Sequence, residues 1–77
     1  MMLREGEKNH SYRVEKMNLP QATRIRLEAL GLTNGTKMEL LNCKRSGSII
    51  IRIRGTRLAF GKQIAEAILV SELDIQE

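Results

Sequence analysis

The stretch Pro20 to Leu41, PQATRIRLEALGLTNGTKMELL, constrains this chain most, because it holds the only segment of full helical character, that segment's stop signal and the entry into a strand. Arg24 to Leu30 are mostly good helix formers, Pro20 suits a helix start, and Gly31 suits a left-handed residue just past the end. Leu32 falls where a hydrophobic contact closes a C-terminal cap. Asn34-Gly35 then signals a turn, and Thr36 to Cys43 alternates imperfectly, as a strand. Everything else in the chain reads as sheet.

At about 100° per residue, Ala22, Ile25 and Ala29 gather on one side of the helix and Leu27 and Leu30 on another, with Arg26 between them. The apolar arc spans about 200°, wider than the stripe that one core covers. A short helix of this kind is expected to lie in a groove covered on both sides. The alternative is that one edge, at Ile25 or Leu27, is a contact surface for another protein. Arg24 and Glu28 have the spacing of a solvent-side pair, in the less favourable order.

The remaining elements follow in order. Leu3 to Gly6 is a short lead-in, and Ser11 to Met17 a first strand with Tyr12 and Val14 on one face and Arg13 and Glu15 on the other. Lys44 to Gly47 is a connection of hairpin length. Ser48 to Arg54 is the clearest strand: Ile49, Ile51 and Ile53 face the core, and Ile50, Arg52 and Arg54 face away. Gly55-Thr56 is the next turn, Arg57 to Phe60 a fourth strand, Gly61 to Ala67 one or two helical turns, and Ile68 to Ser71 a closing strand. Structural turns are therefore expected at Gly31, Gly35, Gly47 and Gly55. From Glu72 onward the acidic tail is expected to fray.

Five short strands with one helix after the first indicate a mainly β fold, a small SH3-like barrel, since closure removes the edges that an open sheet exposes. An OB-like barrel ranks second because its helix usually comes later. With 77 residues the chain is read as one domain with its core at about residues 11–71. No apolar run approaches the ~18 residues of a membrane span, and the start MMLREGEKNH lacks the apolar segment of a signal peptide, so no membrane insertion and a cytoplasmic location are expected.

Composition removes several classes of chemistry. Cys43 is the only cysteine and His10 the only histidine, so an internal disulfide and a structural metal site lack their residues, and neither metal nor cofactor is expected. Cys43 reads as a small buried strand residue and His10 as a solvated loop residue. Glu5, Glu7, Glu15, Glu28, Glu39 and Glu66 show no spacing that suggests a catalytic dyad, and no phosphate-binding glycine loop is present, so no enzyme is expected. The net charge of +4 favours an anionic partner. Nucleic acid is disfavoured, because Tyr12 and Phe60 are the only aromatics and offer no stacking platform. The same shortage removes an aromatic-lined groove for proline-rich peptides.

Taken together, RIRLEALGLTNGTKMELL, SIIIRIRGTRLAF and QIAEAILV resemble the FeoA family, the small component of bacterial ferrous iron transport. The matching positions are Arg26-Leu27, Leu30-Gly31-Leu32 and Gly35, then Gly55 with Leu58-Ala59-Phe60, then Ala65, Ile68 and Val70. The chain departs from the pattern where members often carry basic residues after the Leu-Ala-Leu strand, since Gly61 precedes Lys62. The chain also resembles the SH3-like domain appended to iron-dependent repressors of the diphtheria toxin repressor type. The resemblance implies a non-enzymatic accessory role in Fe(II) uptake, by docking on the cytoplasmic part of ferrous iron transport protein B, a membrane GTPase transporter. The family also carries a general association with transition metal ions, without ligand residues that map onto this chain. The candidate partner-binding residues are Arg24, Arg26, Leu27 and Leu32 along the helix and Arg52, Arg54 and Arg57 on the outward sheet face. A monomer, or a weak homo-oligomer through a barrel edge, is expected. The alternative function is a basic barrel that binds nucleic acid or a segment of a regulator.

Overall fold

The computed structural model describes residues 1–73; of the tail expected to fray from Glu72 onward, Glu72 is instead paired with Tyr12 in the sheet, and the part beyond Leu73 lies outside the described residues. A 3₁₀ turn at Leu3–Glu5 leads into β1 (Ser11–Met17), α1 (Gln21–Ala29), β2 (Lys37–Cys43), β3 (Ile49–Ile53), β4 (Thr56–Phe60), α2 (Lys62–Ala65) and β5 (Ile68–Glu72). The strands form one antiparallel sheet in the order β4-β3-β2-β1-β5, coiled around a single apolar core.

Alternation along the strands builds that core. Tyr12, Val14, Met38, Leu40, Ile49, Ile51, Ile53, Ile68 and Val70 are all buried, as the isoleucine pattern of β3 requires. Two bulges interrupt the alternation. The β1–β5 register shifts between Val14 and Lys16, which leaves Glu15 and Lys16 both exposed and returns Met17 to the core. The β2–β3 register shifts between Leu40 and Asn42, which accounts for the broken pattern of β2. Cys43 follows this second bulge and is exposed, with Sγ 3.9 Å from the Arg4 carbonyl oxygen, so the expectation that it is buried is corrected.

Ladder pairing does not close the barrel; β4 and β5 are the outer strands. The free side of β5 is covered by the start of the chain. Met2 bridges Leu69, and the Val70 N–H donates to the Met1 carbonyl at 2.7 Å. Leu3 is fully buried, and the adjoining Arg4 forms an ion pair with Glu66 beside α2. The lead-in is therefore part of the fold rather than a loose terminus.

Gly6 sits where this segment crosses the core. A Cβ there would lie 2.9 Å from Tyr12 Cζ and 3.0 Å from Leu40 Cδ2. The Glu7 N–H donates to the Tyr12 hydroxyl at 2.6 Å, so the ring is held on both sides. Gly6→Ala is expected to lower stability by about 1–3 kcal/mol through overpacking. A thermal midpoint equal to that of the wild type would show that the ring can yield.

The glycines expected at turns, Gly31, Gly35, Gly47 and Gly55, all have positive φ, from 84° to 101°. At Gly47 a Cβ would also lie 2.7 Å from Lys62 Cγ, so both conformation and space exclude a side chain. The β3–β4 turn differs from its expected position: Ile53 pairs with Thr56, which makes Arg54-Gly55 the two-residue loop. Both residues have positive φ, 51° and 84°, the combination of a type I′ turn that matches strand twist.

Candidate functional site

Helix α1 begins at Pro20, whose carbonyl accepts the Arg24 N–H at 3.0 Å, and ends in a Schellman cap. The Gly31 N–H donates to the Glu28 carbonyl and the Leu32 N–H to the Leu27 carbonyl, each at 2.9 Å. Leu27 and Leu32 close this cap from the core side, 4% and 0% exposed. Their expected role as contact residues is thereby corrected, because neither side chain reaches the surface. Leu27 is the only buried residue of the helix, so a groove covering both sides is also ruled out.

The outward side of α1 is correspondingly apolar. Ile25 and Leu30 are each 55% exposed, and Ala22, Arg26 and Ala29 beside them are exposed. Arg26 stands on this face as expected. Arg24 is half-buried on another side, in a shallow cleft with Lys16, Asn18, Leu19 and Glu28, and does not form an ion pair with Glu28.

The second cluster lies on the outward face of the sheet. Arg52 is opposite Glu39 in the β2–β3 ladder, with Nη2 3.5 Å from Oε1, and opposite Arg57 in the β3–β4 ladder. Arg54 projects from the hairpin turn. Arg52 and Arg54 line an open groove of about 660 Å³ with Lys37, Glu39 and the turn Thr33 to Thr36. The structure thus joins Arg52, Arg54 and Arg57 and separates them from Arg24. Lys37 and Leu30 are not among the residues expected at the site, and Ile25 enters that expectation only as one possible edge of the helix; Lys37 carried a signal as the first cation after the Asn34-Gly35 turn.

No group of three or more His, Cys, Asp or Glu side chains is placed to hold a metal ion among the described residues. His10 Nε2 lies 3.5 Å from Glu7 Oε1 on the surface, and every buried side-chain polar atom among the described residues has a partner. No described helix is long and apolar enough to cross a membrane.

A five-stranded antiparallel sheet coiled round one core, with a helix after the first strand, is an SH3-like fold, and here its outer features are an apolar helix face and a basic groove. The chain belongs to the FeoA family: the family model, described as the FeoA domain, matches residues 1–72. The solution structure of the FeoA protein from Chlorobium tepidum is 31% identical, with a TM-score of 0.87 over 100% of this chain and 74% of that one. A crystal structure described as an iron uptake regulatory protein, FeoA, is 30% identical, with a TM-score of 0.84 over 95% of this chain and 97% of that one. ScaR with bound Zn2+ is 20% identical at a TM-score of 0.83, over 95% of this chain and 37% of that one, a likeness of fold alone. No curated protein matches the sequence. Family membership supports a role in ferrous iron transport, within a family of accessory, non-catalytic domains.

Proposed function

We propose that this chain is a cytoplasmic, non-enzymatic accessory protein of Fe(II) uptake that docks through the outward face of α1 on the cytoplasmic part of ferrous iron transport protein B. The carrying observation is the exposure of Ile25 and Leu30, 55% each, on a helix that buries only Leu27. A helix of a single small domain ordinarily turns its apolar arc inward. Here the arc is wider than the core can take, and the excess faces solvent with Arg26 within it. Such a face suits an apolar partner surface with a carboxylate at its rim.

The test is an NMR titration of the labelled chain with the soluble GTPase domain of the transporter, in each nucleotide state. Shifts are expected around Ala22 to Leu30. Ile25→Asp with Leu30→Asp is expected to abolish them while leaving the unfolding midpoint nearly unchanged, since neither side chain is in the core. Absence of shifts in every nucleotide state would reject docking on that domain.

A further inference from the structure

The outward sheet face carries charge in an arrangement that disfavours folding. Arg13 is directly opposite Lys37 in the β1–β2 ladder, and Arg52 directly opposite Arg57 in the β3–β4 ladder. Like charges at directly opposed positions destabilise a sheet. Arg54 adds a third device of the same kind: it holds φ 51° in a turn position that asparagine or glycine fills more readily. Against these five cations the facing ladder positions offer one carboxylate, Glu39, which is paired with Arg52. Arg13, Lys37, Arg54 and Arg57 form no ion pair with any described residue.

We propose that the groove between the Thr33–Thr36 turn and Arg52–Arg54 binds an extended acidic segment of a partner protein, with carboxylates at alternate positions. Lys37 lies two residues along β2 from Glu39, and Arg54, in the turn that follows β3, lies two residues on from Glu39's ladder partner Arg52. Two residues of extended chain span about 6.8 Å, the spacing of side chains on one face of an extended peptide laid along the strands. Guanidinium groups of Arg52 and Arg54 match carboxylates as forks. Glu39, set among them and paired with Arg52, suits the N–H groups that a peptide brings. Tyr12 and Phe60 are both buried, so the face has no aromatic ring on which a base could stack. This goes beyond the transporter reading and holds for any protein partner that carries such a segment.

The experiment uses fluorescence anisotropy with a labelled twelve-residue peptide of alternating glutamate and serine, and the full chain. Saturable binding is expected at low salt, weakening steeply towards physiological salt. Arg54→Asn is expected to raise the unfolding midpoint, because it suits the turn, yet to weaken binding about threefold; with Lys37→Gln added the loss is about tenfold. A merely structural role for Arg54 would move stability and affinity together. The control Lys44→Gln with Arg45→Gln, the same charge change in the exposed β2–β3 loop, is expected to leave affinity unchanged. Equal loss in that control, tighter binding of a twelve-nucleotide oligo(dT) or of phosphatidylserine vesicles, or no peptide binding at low salt would each overturn the proposal.

Discussion

Ile51→Ala is expected to destabilise the chain by about 2–5 kcal/mol, while Ile50→Ala, one residue earlier, should cost about 1 kcal/mol or less. Ile51 is fully buried at the centre of β3, opposite the buried Leu40 on one side and the half-buried Leu58 on the other. Truncation there removes apolar contact and leaves a cavity that strands on both flanks prevent from collapsing. Ile50 turns to the other face and is only partly buried. A domain of this size has a total stability of about 4–12 kcal/mol, so the Ile51 change consumes a large share of it. At about 4–8 °C per kcal/mol the midpoint should fall by at least ~8 °C. Far-UV circular dichroism during heating measures it. Similar losses from the two substitutions would mean that the register of β3 is misplaced.

Leu27→Ala is expected to release α1 from the sheet and with it any docking through the helix face. Leu27 is the one side chain by which the helix itself enters the core, and its carbonyl accepts the Leu32 N–H that closes the cap. A helix of nine residues does not hold its shape in water without packing. The loss of stability should again be about 2–5 kcal/mol, but unevenly distributed. Hydrogen exchange should show α1 amides losing protection while those of β3, paired with strands on both sides, keep more of theirs. Wild-type protection along α1 in the variant would show that the helix is held by something other than Leu27. In the docking proposed above the substitution separates two roles: Leu27 would act only by holding the helix, whereas Ile25 and Leu30 would meet the partner directly.

Much of the local structure was legible from residue type. Alternating isoleucines place β3, and each expected glycine turn holds a positive-φ glycine, because turn chemistry depends on a few neighbouring atoms. The Leu30-Gly31-Leu32 stop appears as a Schellman cap for the same reason. The candidate site was only partly legible. Arg26, Arg52, Arg54 and Arg57 are on the surface as expected, whereas Leu27 and Leu32 are inside. A helix with an apolar arc too wide for its core does not reveal from its own residues which edge meets the sheet.

What the sequence by itself determined, then, is the order and type of the elements and the core face of the isoleucine strand, since 2.0 and 3.6 residue periods are properties of neighbouring positions. Only the tertiary structure decided the rest. The bulge in β1 put Lys16 at the surface, register set Arg13 against Lys37 and Arg52 against Arg57, and Leu3 closed the core from the far end of the chain. Each depends on strands that meet across tens of residues, where pairing and packing outweigh local preference.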